Sequence, residues 1–188
     1  MKQHSREHII ISSIELFNRH GIRRNTVESI CVHAQVSKGT FYKYFRNKIH
    51  LLQEILSHFI DSFYSAYYDV IEGDIPFREK IRSIIRLKLD IADRMGPEFL
   101  TDLYDNTPEI REYLERLKKQ SEDKSLELFH LGMEAGAIRD SVTDEFFLLL
   151  LDTVTELFYS GRMKDIFPDP KERSEALLEH FFYGILRD

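Results

Sequence analysis

The strongest chemical signal in the sequence comes from residues 37–45, Ser-Lys-Gly-Thr-Phe-Tyr-Lys-Tyr-Phe. Phe41 and Phe45 are four residues apart, so a helix here would bury them on one side and present polar groups on the other. Ammonium and hydroxyl groups bind phosphates and base edges, and a glycine lets another backbone approach closely. The residues that supply these groups are Lys38, Gly39, Thr40, Tyr42 and Lys43.

Charge is distributed unevenly along the chain. The formal net charge is -6, yet residues 1–48 hold nine basic and three acidic residues, a net charge of +6, and the remainder carries -12. A basic N-terminal segment in an acidic chain predicts an anionic partner for that segment. Lys48 adds to this prediction, because a cation in the first turn of a helix is unfavourable unless an anion such as a phosphate lies nearby.

The elements around this segment are predicted to be short helices. Asn25, three residues before Glu28, predicts a capping box that opens one helix, which ends near Ala34. Ser37 is the predicted cap of the next helix, and Asn47 that of a longer one. Two short helices joined by a tight turn have the size and order of a helix-turn-helix, whose second helix fits the major groove of DNA.

The whole chain is predicted to be all-α, because eight Gly and five Pro in 188 residues leave little material for the turns of a sandwich or barrel. About nine helices are expected. An N-terminal three-helix helix-turn-helix domain, residues 1–48, would precede a C-terminal helical bundle for ligand binding and dimerisation, residues 49–188. The helices after the first three are predicted at residues 48–72, 77–94, 98–106, 108–136, 144–161 and 171–186.

The segment from Arg6 to Leu52 resembles the DNA-binding domain of the TetR-type transcriptional regulators. The resemblance implies an all-helical repressor that binds a palindromic operator as a homodimer and releases it when a small molecule enters the C-terminal domain. It rests on Glu15-Leu16-Phe17, Gly21, Thr26, Ala34, Val36 to Phe45, and Lys48. Family members hold phosphates at the positions of Thr26, Tyr42, Tyr44 and Lys48, and make base contacts at those of Lys38, Gly39, Thr40 and Lys43.

The sequence departs from the family pattern in the turn before residue 37. Gln35 stands where the family usually has glycine. A left-handed backbone conformation would cost a non-glycine residue about 1 kcal/mol there. None of the departures removes a predicted DNA contact.

The predicted bundle is rich in aromatic residues and methionine, which suit a cavity for a small, mostly apolar effector. Core and lining residues are of the same types, so the candidates are taken from the whole apolar set. They are Phe59, Phe63, Tyr67, Ile91, Met95, Phe99, Leu103, Tyr113, Leu117, Phe129 and Met133.

The last two helices carry more apolar surface than one subunit can cover. Pairing them across a two-fold axis would form a four-helix bundle and a homodimer. The candidate interface residues are Phe147, Leu150, Val154, Phe158, Leu178, Phe181, Phe182 and Ile185.

Two other functions fit the same features. The chain could be an architectural DNA-binding protein that needs no ligand, or a helical interaction module whose basic end binds an acidic protein. An enzyme has no support, because the sequence lacks the phosphate-loop, nucleophile-elbow, zinc-protease and dinucleotide-binding motifs.

No metal, cofactor or membrane is expected. His50, Glu54 and His58 share a helical face, but three residues over two turns converge poorly on one ion, and a solvated face is the simpler interpretation. The longest apolar run, Phe146 to Leu151, is too short to span a bilayer, and the N-terminus has no signal-like stretch. A single cysteine agrees with a reducing compartment, so the protein is expected in the cytoplasm.

Overall fold

The computed structural model describes residues 2–104 and 108–186, and this part of the chain is all-α, as predicted. It contains ten helices, and outside them one isolated bridge joins Ile138 to Leu186. None of these helices has the length and hydropathy needed to cross a bilayer. They are α1 (Lys2–His20), α2 (Val27–His33), α3 (Lys38–Tyr44), α4 (Lys48–Glu72), α5 (Phe77–Arg94), α6 (Pro97–Tyr104), α7 (Pro108–Glu134), α8 (Asp144–Tyr159), α9 (Gly161–Ile166) and α10 (Pro170–Ile185).

The additional helix relative to the prediction is α9, which contains the last residue of the predicted helix 144–161 and continues into the segment before the predicted helix 171–186. Ser160 ends α8 with an extended backbone, at φ -64° and ψ 145°, and its hydroxyl accepts a hydrogen bond from the backbone N–H of Met163. One serine therefore ends one helix and caps the next. The predicted end of α6 at Asn106 lies outside the described residues.

Local signals set most other helix ends. Asn47 caps α4 as predicted, since its Oδ1 accepts from the backbone N–H of His50 at 2.8 Å. At the end of α7, Gly136 has φ +65°, and the backbone N–H of Ala137 donates to the carbonyl of Gly132 at 2.8 Å. This is the left-handed helix ending that glycine permits.

The chain packs as two compact units. One comprises Met1–Ser62 with Asp93–Glu115, and the other Phe63–Ala92 with Arg116–Asp188. The first unit includes α6 because Phe99 is fully buried and its ring meets that of Phe17 on α1 edge-on at 5.6 Å. These units are defined by how the chain packs. The functional boundary after residue 48 remains a prediction.

The second unit has a core built from α5, α7, α8 and α10. The rings of Phe129 and Phe147 stack at 4.7 Å, and Phe181 lies 5.7 Å from Phe147. Gly132 allows the closest approach in this core, because a Cβ there would lie 2.4 Å from the ring of Phe77. Buried members of this cluster also include Ile138, Val142, Ile185 and Leu186.

Candidate functional site

The first helix of the candidate DNA-binding motif, α2, begins one residue later than predicted. Its N-cap is Thr26, whose Oγ1 accepts from the backbone N–H of Ser29 at 3.1 Å, while Ser29 Oγ accepts from the backbone N–H of Thr26 at 2.9 Å. The capping box therefore joins Thr26 and Ser29, and the predicted pair of Asn25 and Glu28 was wrong. The side chain of Asn25 is buried instead, where its Nδ2 donates to the carbonyls of Leu16 and Gly21.

The turn after α2 is left-handed at Gln35, the residue that stands where the family usually has glycine. Gln35 has φ +51°. The backbone N–H of Val36 donates to the carbonyl of Cys31 at 2.9 Å, and that of Gln35 to the carbonyl of Val32 at 3.2 Å. These two bonds form the usual glycine-type helix ending. The turn is thus regular in geometry and strained at one exposed residue.

The second helix, α3, separates a buried side from an exposed side. Ser37 caps it, accepting from the backbone N–H of Thr40 at 3.0 Å. Phe41 and Phe45 are 0% and 1% exposed and hold the helix against the rest of its unit. On the other side, the exposed residues are Lys38, Gly39, Tyr42 and Lys43, and Thr40 and Tyr44 are half-buried.

Few contacts within the chain would compete with DNA for the exposed side of α3. Lys38 pairs with Glu28 at 3.3 Å, but both side chains are more than half exposed, so the pair contributes little and can be exchanged for a phosphate. Lys43 Nζ lies 5.7 Å from the ring centre of Tyr44. A Cβ on Gly39 would meet only Ser37 Oγ, at 3.6 Å. The fold itself therefore does not require glycine at residue 39.

Lys48 is placed differently from a free phosphate ligand. It is half-buried, and its Nζ donates to the backbone carbonyls of Ile22 at 2.9 Å and Asn25 at 2.7 Å. Burial lowers the pKa of Lys48, and the carboxylate of Asp102 partly offsets this effect. The ammonium ties α4 to the α1–α2 connection, a positioning role that the sequence analysis did not assign.

Helix α6 fixes that same connection from the other side. The Asp102 carboxylate accepts from the backbone N–H of Arg23 at 2.9 Å and from its Nε at 3.1 Å, and these bonds lower the pKa of Asp102 against the opposing effect of burial. A Cβ on Gly21 would lie 2.3 Å from Asp102 Oδ2. Asn18 Nδ2 donates to the carbonyl of Arg94 at 2.8 Å. These contacts join residues too distant in sequence for a local pattern to reveal.

A cavity lies within the second compact unit, among α4, α5, α7 and α8. Its free volume is about 30 Å³, which is room for a few water molecules at most. Among the described residues, two lysines and no carboxylate line it. The lining residues are Phe63, Tyr64, Tyr67, Ile84, Ile85, Lys88, Ser121, Lys124, Ser125, Leu128, Phe147 and Leu151.

Only some of the predicted ligand residues line this cavity. Phe63 and Tyr67 line it, and the others do not. Phe59, Met95, Phe99, Leu103 and Tyr113 belong to the first compact unit, and Phe129 is in the core of the second. Ile91, Leu117 and Met133 belong to the second unit without lining the cavity.

The main lining residue that sequence reasoning missed is Lys88. It follows Ile81, Ile84 and Ile85 at helical spacing and so lies on the apolar face of α5. A lysine inside an apolar stripe was the available signal.

The predicted dimer residues divide into buried and accessible sets. Phe147, Phe181 and Ile185 are buried in the subunit's own core, which already accounts for their apolar surface. Leu150, Val154 and Phe158 are half-buried, and the side chains of Leu178 and Phe182 lie outside the described residues. Other large apolar side chains on α8 and α10 are more exposed: Phe146 at 47%, Leu149 at 62%, Leu157 at 40% and Tyr183 at 42%.

Comparisons with known proteins agree with this geometry. Residues 9–55 match the sequence model of the bacterial regulatory proteins of the tetR family. The chain is 26% identical over 186 residues to an uncharacterized HTH-type transcriptional regulator of Haemophilus influenzae, covering 95% of this chain and 94% of that one. It is 22% identical over 159 residues to the HTH-type transcriptional repressor KstR2 of Rhodococcus jostii, covering 81% and 77%.

A solved structure shares the fold over the full length. The transcriptional regulator FadR of Bacillus subtilis, in complex with stearoyl-CoA, superposes with a TM-score of 0.74 at 20% identity, covering 95% of this chain and 98% of that chain. The matched segment contains the capped α2, the left-handed turn and the exposed side of α3 described above. Residues 9–55 therefore belong to the tetR family of bacterial regulatory proteins, and the relatives that match over most of the chain are transcriptional regulators.

Proposed function

We propose that the protein is a homodimeric repressor that binds a palindromic operator and releases it when a small, mostly apolar effector enters the cavity. The observation that carries this proposal is the exposed side of α3, which presents donors while Phe41 and Phe45 fix the helix from behind. We assign base contacts to Lys38, Gly39, Thr40 and Lys43, and phosphate contacts to Thr26, Tyr42, Tyr44 and Lys48.

The proposed division of labour places DNA binding in residues 1–48 and effector binding and dimerisation in residues 49–188. Helix α4 is continuous from Lys48 to Glu72, and it carries Lys48 near its start and the cavity residues Phe63 and Tyr67 further along. A ligand that displaces its later turns would also displace its beginning. An effector that binds the DNA-incompetent state 100-fold better shifts the equilibrium by about 2.7 kcal/mol.

The proposed dimer interface uses α8 and α10. Exposed apolar side chains on α8, namely Phe146, Leu149 and Leu157, would gain burial against a second copy. Together with the half-buried Leu150 and Val154, they form an apolar surface along that helix. A two-fold pairing would place two copies of α3 about one helical turn of DNA apart, or somewhat more.

The relatives support this proposal by analogy. KstR2 of Rhodococcus jostii is a transcriptional repressor, and FadR of Bacillus subtilis is a regulator solved with stearoyl-CoA. The first precedent favours repression for this chain, and the second favours a small-molecule effector.

Selection of bound duplexes from a random library tests the DNA assignment. We expect a palindromic consensus, bound with a strong salt dependence. Lys43→Ala should weaken consensus binding by about 1–3 kcal/mol and relax the preference at one base of each half-site. Lys119→Ala, which removes an exposed lysine of α7, is the matched control and should leave the preference unchanged. Broad protection without a consensus would support an architectural DNA-binding protein instead.

Sedimentation tests the dimer. The double variant Leu149→Glu, Leu157→Glu should be a folded monomer, because it places charges on the proposed interface. The control Ile75→Glu changes an exposed apolar residue outside α8 and α10 and should remain dimeric. A dimer that persists in the double variant would place the interface elsewhere.

Effector release can be tested through the reciprocal effects of effector and operator on each other's affinity. An effector that weakens operator binding must itself bind more weakly in the presence of operator, by the same factor. Equal effector affinities with and without operator would remove the regulatory role of the ligand. In that case the protein would bind DNA independently of effectors.

A further inference from the structure

We propose that the cavity of the second compact unit binds an amphipathic anion, with an apolar body and one carboxylate or phosphate-type head group that pairs with Lys88. This inference rests on the proposed function and adds the chemical class of the effector.

Lys88 lies in surroundings that do not suit an isolated cation. Its helix neighbours Ile84, Ile85 and Leu89 are buried, and Ile84 and Ile85 line the cavity beside it. Within residues 2–104 and 108–186, Lys88 has no hydrogen-bond or ion-pair partner. Burial lowers its pKa, yet the side chain is only half-buried. Because Lys88 lines the cavity, its unpaired ammonium group is within reach of a ligand bound there.

Lys124, which also lines the cavity, and Lys80, which lies on the same helix as Lys88, both have hydrogen-bond partners. Lys124 Nζ donates to both carboxylate oxygens of Glu127, at 2.6 and 2.8 Å, and lies 5.1 Å from the ring centre of Tyr68. Lys80, two turns before Lys88 on α5, donates to the carbonyls of Ile71 and Gly73 at 2.5 and 2.6 Å. Lys88 is therefore the lining cation with unused donors in the part of the chain that the structure describes.

The rest of the lining fits the two ends of an amphipathic molecule. No carboxylate lines the described cavity, and Glu127, whose charge acts on the lining residue Tyr67, is itself paired with Lys124. Ser121 and Ser125 are one turn apart on α7 and add hydroxyls, of which Ser125 Oγ donates to the carbonyl of Ser121. The apolar part of the ligand would contact Phe63, Phe147 and Leu151.

The experiment compares ligands that share an apolar body and differ in head group: decanoate, decanol and decyltrimethylammonium, with 2-naphthoate and 2-naphthol as an aromatic pair. Affinities are measured by titration calorimetry on the full chain, below the micelle concentration. We expect at least one carboxylate to bind about 10- to 100-fold more tightly than its neutral counterpart, because a hydrogen bond to a charged group is worth that factor.

Variants assign the preference to Lys88. Lys88→Met should abolish the preference for the carboxylate while leaving the affinity of the neutral counterpart within about twofold. Lys88→Arg, which keeps the charge, should retain the preference. Lys119→Met removes an exposed charge from the same unit and controls for general attraction between anions and the protein surface. Thermal denaturation of each variant establishes that it is folded.

The outcomes separate this inference from the proposed function. Tighter binding of the neutral or cationic probes, a preference that survives Lys88→Met, or no binding of any carboxylate up to millimolar concentration overturns the inference. If neutral compounds release the operator, the proposed function stands without it. If carboxylates bind through Lys88 and leave operator affinity unchanged, the anion site stands and the proposed release fails.

Discussion

Lys48 and Lys88 lie in different compact units, and burial lowers the pKa of both. Lys48 donates to the carbonyls of Ile22 and Asn25, so its charge is part of the fold of the first compact unit. Lys88 lines a cavity and has no acceptor among the described residues. A desolvated ammonium without acceptors reduces stability, whereas one with two acceptors holds elements together.

The comparison shows where each unit finds its polar partners. In the first unit, the side chains of Asn25, Lys48 and Asp102 all form hydrogen bonds within the chain. In the second unit, Lys88 has no acceptor among the residues that the structure describes, and under our proposal a bound anion supplies one. Substitutions that remove each lysine should therefore change stability in opposite directions.

The largest effect is expected for Lys48→Met. The substitution leaves two carbonyls without their charged donor, and we expect a loss of about 2 kcal/mol in the free energy of unfolding, or roughly 4–8 °C in Tm. Operator binding should weaken as well. Chemical denaturation measures the change, with Lys38→Met as an exposed control that leaves the midpoint in place. An unchanged midpoint for Lys48→Met would return this residue to a purely phosphate-binding role.

Gly39→Ala should separate DNA binding from stability. A Cβ at residue 39 has no close contact within the chain, so the folded state accommodates it, and alanine improves helix propensity by about 0.5–1 kcal/mol. The methyl group would instead meet DNA. We expect operator affinity to fall about tenfold, or 1.4 kcal/mol, while Tm is unchanged or higher. Full operator affinity in this variant would show that the DNA backbone does not approach residue 39.

Lys88→Met should stabilise the ligand-free protein, by about 1 kcal/mol at neutral pH, because it removes an unpaired charge from apolar surroundings. Lys80→Met, on the same helix, should destabilise it, because Lys80 donates to carbonyls at the end of α4. Denaturant titration measures the free energy of unfolding of both variants and of the wild type. A destabilised Lys88→Met protein would mean that this lysine has a structural partner.

The stabilising effect of Lys88→Met should also depend on pH. The folded-state pKa of Lys88 is below its ordinary value of 10.5, so just below pH 10.5 the unfolded chain binds more protons than the folded chain. The wild type therefore gains stability relative to the variant as the pH rises through this range. The gap between the two unfolding free energies should narrow towards pH 10.5, and a constant gap would contradict a lowered pKa.

The smallest effect is expected for Gln35→Gly, which removes the strain of φ +51° in the turn between α2 and α3. Relief of the left-handed conformation is partly cancelled by the greater freedom of glycine in the unfolded chain, so the gain should be about 0.5 kcal/mol. Thermal denaturation should show a rise in Tm of one or two degrees, about what that energy gives in a chain of this size. A fall in Tm would show that the glutamine side chain contributes contacts that outweigh the strain.

Local features of the DNA-binding segment could be predicted from the sequence. Ser37 and Asn47 cap the helices they were expected to cap. Each of these depends on residues within four positions. The capping box of α2 was misplaced because Asn25 is held by carbonyls at residues 16 and 21, and its own spacing to Glu28 does not reveal them.

The cavity was harder to predict, because apolar side chains of the same type fill cores and line cavities. Phe99 and Phe63 could not be told apart by type or period, yet one packs on Phe17 and the other lines the cavity. Lys88 was distinguishable, since its position on an apolar helical face conflicts with its charge. Lys88, which breaks the apolar pattern of α5, is therefore a better indicator of the cavity than the apolar residues that follow that pattern.

The small free volume of the cavity, about 30 Å³, should slow both the binding and the release of a ligand. A ligand of ten or more heavy atoms can enter only after side chains have moved, and association that requires such a change is slower than ordinary docking. Dissociation of the ligand should be slow for the same reason, because the side chains must move again before it can leave. Under the proposed function, the regulator would respond to the sustained presence of its effector, and a brief pulse would end before many subunits had opened.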